Sequence, residues 1–149
     1  MDLMKHGLKK EELAQIRKDR IAELAFAEVD PPKGYETGKR KRIQFKECYP
    51  TALNYVLYLP EENRSTVTLV HGFCVKHGAP YGHAWVELPG EVVFDGVMQR
   101  FYDKAGYYQA KRCTDTHRYT LEEACELFLK HNHYGPWEPW ELALLEEKR

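Results

Sequence analysis

The chain has 149 residues, 43% apolar and 30% charged, with 22 basic against 23 acidic side chains and a net charge of -1. That length fits one compact domain, and the balanced charge removes any global electrostatic case for nucleic acid. No apolar run approaches a membrane span, and the opening MDLMKHGLKKEEL has no apolar signal-peptide core. The expectation is a cytoplasmic protein with no membrane contact.

In chain order, LKKEELAQIRKDRIAELAFAEVD reads as a helix with Leu13, Ile16, Ile21 and Leu24 on one face, ending before Pro31-Pro32. PPKGYETGKRKR follows as a linker or exposed loop. Its run Lys39-Arg40-Lys41-Arg42 could touch phosphates, but a run of four is more often a solvated loop. The division is therefore residues 1–42, an N-terminal helix packed outside plus a basic linker, and 43–149, the domain proper. Within it, Thr51 to Tyr58 favours a helix with Leu53, Val56 and Leu57 inward, stopped by Pro60. STVTLVHGFCV, with its β-branched residues, reads as a strand. KHGAP is a turn, YGHAWVEL a second strand, Pro89-Gly90 a hairpin turn and EVVFDGV a third strand. VMQRFY either continues the sheet or leaves it. Thr120-Leu121-Glu122-Glu123 matches a capping box, which starts a helix at Leu121 that runs to about Asn132. HYGPWEPW breaks regularity, and WELALLEEKR can add a helical turn or two. The order gives an α+β fold, N-terminal helices packed on a small antiparallel β-sheet.

Chemistry concentrates in KECYPTALNYVLYLP, residues 46–60. Proline is favoured in the first helical turn, where its missing N–H costs nothing. Pro50 therefore starts the helix at or just before Tyr49 and puts Cys48 at its cap or first position. The helix dipole and free N–H groups favour a thiolate there; the alternative is a cysteine packed under the helix start. A nucleophilic thiolate also needs a base and a group to orient that base. GHAWVE supplies His83, between the small residues Gly82 and Ala84, and VVFDG supplies Asp95 on the partner strand. Register decides whether they meet. A two-residue turn at Pro89-Gly90 pairs His83 with Gly96 and turns Asp95 to the opposite face. A three-residue loop or one bulge brings both to the same face. Glu87 faces the same way as His83 but lies about 13 Å along the strand, so Asp95 is preferred. Oxyanion donors could come from the backbone N–H of Cys48 or Tyr49, or from the side chain of Gln44.

These residues carry a resemblance. Cys48 at a helix start, then GHAWVE with His83, then VVFDG with Asp95, resembles the Cys–His–Asp order of the transglutaminase-like and papain-like cysteine enzymes. HAWVE followed by an aspartate on the next strand is similar to bacterial transglutaminase-like domains. ECYPTALN with FDG faintly resembles the arylamine N-acetyltransferases, and YTLEEA with HYGPW looks like small uncharacterised phage and bacterial proteins of this type. The resemblance covers about Phe45 to Trp137. It implies a papain-like or transglutaminase-like core, with Cys48 as nucleophile, His83 as base and Asp95 as orienter, acting on a protein or peptide substrate by hydrolysis, deamidation or transamidation. The alternative is a non-catalytic protein-binding module on the same fold, such as a phage or bacterial factor acting on a host protein.

The remaining candidates have plainer readings. His71 and Trp85 could wall the site, or fill core. Cys113-x3-His117 and His131-x-His133 could offer zinc four ligands, but neither spacing is a zinc signature, so no metal and no cofactor is expected. Cys74 and Cys125 read as packing residues, and all four cysteines as free thiols. Tyr134, Trp137 and Trp140 form an aromatic cluster expected to pack onto the domain.

Overall fold

The structure, a computed structural model, describes residues 9–38, 42–44, 46–139 and 141–142. Lys39, Arg40 and Lys41 of the basic run, Phe45, Trp140 and the tail after 142 lie outside the described residues. Five strands form one antiparallel sheet: β1 (Thr68–Lys76), β2 (Ala79–Leu88), β3 (Val92–Asp95), β4 (Arg100–Asp103) and β5 (Thr114–Tyr119), in the order β4-β3-β2-β1-β5. Helices α1 (Lys10–Leu24), α2 (Cys48–Tyr58), α3 (Glu61–Arg64), α4 (Lys104–Lys111) and α5 (Leu121–His131) complete an α+β arrangement.

Both sheet faces are covered, so β1 and β3 are buried almost without interruption and their sequences run apolar rather than alternating. Side chains still alternate between two cores. Leu69, Ala84, Val86 and Phe94 pack with Leu53 and Val56 of α2 and Ala124 of α5. On the other face Val70, Trp85 and Val93 pack with Leu24 at the end of α1 and Tyr107 of α4. The last turn of α1 and the short 3-10 turn that follows it, Ala25–Ala27, are thus part of the core.

Helix α5 begins where its capping box lies: Thr120 Oγ1 accepts from the Glu123 N–H at 3.1 Å and Glu123 Oε1 accepts from the Thr120 N–H at 3.0 Å. It ends at Asn132 in the left-handed conformation. Helix α2 differs from expectation on one side chain. Leu57 is 37% exposed, while Ala52, Tyr55 and Leu59 are buried, because the apolar stripe follows 52, 53, 56 and 59 and leaves 57 toward solvent. Trp137 is buried in the first core, with Tyr134 packed against it. Helix α4 and strand β5 have no counterpart in the sequence reading. Asp103 caps α4, its Oδ2 accepting from the Gly106 N–H at 2.9 Å. Among the described residues no helix is long and apolar enough to cross a membrane.

Candidate active site

The site forms where the sheet changes partners. The β2–β3 ladder covers only Val86↔Phe94, Glu87↔Val93 and Leu88↔Val92. The connection is three residues long, Pro89 to Glu91, with Gly90 at φ 79° and Glu91 at φ 60°. This is the longer of the two loops weighed from sequence, and it sets His83 and Asp95 on the same face. Residues 79–85 of β2 extend beyond the ladder, and the start of α2 comes in beside them. Gly96 permits that approach: a Cβ there would stand 2.2 Å from Thr51 Oγ1 and 2.9 Å from the Thr51 backbone carbon.

Cys48 is the first residue of α2 and is 9% exposed. Pro50 stands third, within the turn whose N–H groups have no intrahelical acceptor. The N–H groups of Cys48 and Tyr49 belong to that same turn. His83 and Asp95 are 4% and 1% exposed. His83 Nε2 lies 3.1 Å from Asp95 Oδ2. Tyr107 Oη donates to Asp95 Oδ2 at 2.6 Å and stands 2.9 Å from His83 Nε2. The Met98 N–H donates to Asp95 Oδ1 at 3.0 Å, so both carboxylate oxygens are held. With Nε2 turned to Asp95 and Tyr107, Nδ1 is the ring nitrogen those two partners leave unengaged. Trp85 stacks on the imidazole at 5.7 Å between centroids.

The charges follow from this packing. Burial disfavours the imidazolium, but the Asp95 carboxylate and the Cys48 sulfur outweigh it and raise His83 to about 9. Burial likewise opposes the Asp95 charge, yet His83, Lys111 and Tyr107 hold that carboxyl well below the usual carboxylate range. These shifts favour imidazolium and carboxylate in the pair, which is buried on one side and open on the other to a cleft of about 690 Å³ that Cys48, His83 and Asp95 line together.

The other sequence candidates lie elsewhere. Gln44 donates its amide to the Arg42 carbonyl at 3.0 Å and lines a different cleft, beside Tyr55 and Gln99. It is not brought to Cys48. Glu87 is held by Tyr108, Arg118 and Lys104. Trp85 is fully buried and gives its indole N–H to Tyr108 Oη at 3.2 Å, so it backs His83 rather than lining the cleft. His71 is fully buried on the opposite sheet face, with Nδ1 3.2 Å from Glu141 Oε2 and its ring stacked on Trp137. Its link to the site runs through Tyr49, whose ring meets it edge-on at 4.8 Å. Cys74 and Cys113 form a thiol pair, 3.5 Å between sulfurs. Their mutual hydrogen bond raises the Cys74 thiol and lowers that of Cys113. Among the described residues no group of three or more His, Cys, Asp or Glu stands close enough to hold a metal.

Sequence reasoning missed Tyr107 because it missed α4. Asp103 ahead of the helix-formers in KAGYYQAK was the available signal. Arg20 of α1 and Lys76, Lys111 and Lys46 were also missed as cleft residues. Comparison of the chain with family models, with curated proteins and with solved structures gives no match.

Proposed function

We propose that the protein is a cysteine-dependent acyl-transfer enzyme of the transglutaminase-like or papain-like kind, acting on an amide of a peptide-like substrate. The observation that carries this reading is the buried His83–Asp95 pair at 3.1 Å, opening onto the same cleft as a cysteine in the first position of a helix. In the reactive form the proton shared by Cys48 and His83 resides on the imidazole. The sulfur attacks the amide carbon and a C–S bond forms. The carbonyl oxygen becomes an oxyanion, for which the first-turn N–H groups of Cys48 and Tyr49 are the donors at hand. His83 then gives its proton to the departing nitrogen, the C–N bond breaks and a thioester remains. Water or an amine attacks that thioester, His83 taking its proton, and Cys48 is regenerated. Asp95 keeps the ring oriented and compensates its charge, and Tyr107 positions Asp95.

The small exposure of Cys48 favours a second reading, a binding module that keeps the constellation without using it. Iodoacetamide alkylation against pH separates the two, with the modified cysteine identified by mass spectrometry. Rapid modification of Cys48 near pH 6, slowed at least tenfold in His83→Ala, is the outcome expected of a Cys–His pair. A rate that follows an ordinary thiol of about 8.5 and ignores His83→Ala overturns the enzyme reading and leaves the binding module.

A further inference from the structure

Basic side chains outnumber acidic ones among the described residues that line the cleft in front of Cys48. Arg20 from α1, Lys46 just ahead of α2, Lys76 from the end of β1 and Lys111 from the end of α4 all line it. Asp95 is the one carboxylate among its described lining residues, and His83 already compensates that charge. Glu23 stands 3.8 Å from Lys111 and offsets part of its charge. Four cations from three elements and the segment before α2 therefore converge on one concave surface, an arrangement that recognises a negative charge. The crowding is visible in Lys76, whose ammonium is made less basic by burial first, then by Arg20 and, behind the opposing charge of Glu23, by Lys111. An anion seated there offsets the repulsion between these cations.

The sheet register gives the spacing. Gly72 stands opposite His83, and Lys76 opposite Ala79. Four residues separate Gly72 from Lys76, so Lys76 points to the same face as His83 from about 13 Å farther along the strand. A lysine stem is flexible, so the gap between its ammonium and the reacting carbon is set by which way it leans along the strand. Two to four residues of extended peptide, at about 3.3 Å each, span it. We propose that the acyl donor carries an anionic group, a carboxylate or a phosphate monoester, two to four residues from the carbonyl that Cys48 attacks, and that Lys76, Lys46 and Arg20 receive it. The inference rests on the reading of Cys48 as the nucleophile of this cleft. It names the substrate class that reading leaves open.

The test uses the full chain as Cys48→Ser, titrated by ¹H–¹⁵N NMR with three blocked heptapeptides of the pattern Xaa-Xaa-Gly-Gln-Gly-Xaa-Xaa, in which Xaa is glutamine, glutamate or phosphoserine. The glutamate or the phosphoserine peptide is expected to bind about tenfold tighter than the glutamine peptide, the worth of two or three partly screened ion pairs. Which of the two leads tells carboxylate from phosphate. The perturbed amides should lie at Lys76, Gly82 and Met98, and the preference should shrink at least threefold in Lys76→Gln, with Lys46→Gln as the second, more exposed variant. Equal binding of all three peptides, no binding, or a preference that survives both variants overturns the proposal. Alkylation of Cys48 in the parent judges the catalytic reading separately. A fast Cys48 with no anion preference sinks the substrate class alone. An inert Cys48 with the preference intact sinks the enzyme, and with it the role of acyl donor, and leaves an anion-binding cleft.

Discussion

Replacing Asp95 by asparagine should weaken the fall of stability with rising pH. In the parent, His83 rises from an ordinary 6.5 to about 9 on folding. Below pH 6.5 the imidazole is protonated in both states and the pair contributes in full. Between 6.5 and 9 the unfolded chain gives up that proton while the folded chain keeps it, so stability falls as pH rises. At about 1.4 kcal/mol per pH unit, the loss from pH 6 to pH 9.5 is about 3 kcal/mol. Asp95 does not contribute to this window. Its carboxyl is lowered in the fold, so its share is complete above the ordinary value and is lost only on acidification. In Asp95→Asn the amide keeps the shape but not the charge, and burial of His83 is then opposed by the Cys48 sulfur without the carboxylate. The imidazole then falls from its raised value, and the loss of stability between pH 6.5 and 9 shrinks. Urea unfolding at pH 5.5, 7, 8 and 9.5 on both proteins measures this directly. A parent curve that is flat, or one that falls equally in both proteins, would refute the claim that Asp95 holds the His83 proton.

The other expectations follow from single contacts. Tyr107→Phe removes the 2.6 Å donor to Asp95 and should cost about 1.5–3 kcal/mol, and it should also move the pH profile of Cys48 alkylation, which a purely structural tyrosine would leave in place. Gly96→Ala puts a methyl into Thr51. It should destabilise by about 1–3 kcal/mol and slow Cys48 alkylation more than tenfold by pushing the start of α2 off the pair; an unaltered rate in the folded variant would contradict the role given to Gly96. Cys74→Ala removes the hydrogen bond that lowers the Cys113 thiol, so alkylation of Cys113 in a Cys48→Ser background should require a higher pH than before. Thr120→Ala breaks one half of the α5 capping box and should cost about 1 kcal/mol by thermal or urea unfolding, with the Cys48 pH profile unchanged.

What was legible in the sequence was what short-range chemistry encodes. The capping box at Thr120, the proline in the first turn of α2 and the β-branched run of β1 each specify local structure within a few residues, and each element stands where its signal lies. Strand β5, TDTHRY, carries little apolar alternation. It is recruited by pairing Leu69 with Tyr119 and Val70 with Arg118, a partner choice that no local window contains. Helix α4 was hidden by Gly106 near its start, a poor helix residue. That glycine is kept because a Cβ would come within 3.0 Å of Ala27. Leu57 was misplaced for the opposite reason: an apolar residue invites an inward reading, although the helical stripe had already passed it.

The site shows the same division at closer range. Residue types and order were enough to nominate Cys48, His83 and Asp95, because each type has a distinct chemical use. Whether two of them met depended on one residue in the hairpin connection. Since side chains alternate with period two, a loop ending at Gly90 and a loop ending at Glu91 send Asp95 to opposite faces. Glu91 at φ 60° makes the third loop residue, and the left-handed conformation it adopts is uncommon for a side chain of that kind. The local cost of that residue is offset by what the register allows: Val93 and Phe94 enter separate cores, and Asp95 reaches His83, Tyr107 and the Met98 N–H at once. A slip by one residue would expose Val93 to the wrong core and bury the Asp95 charge without a partner, a loss of several kcal/mol. The core and the candidate chemistry therefore select the same register, and neither can drift without the other.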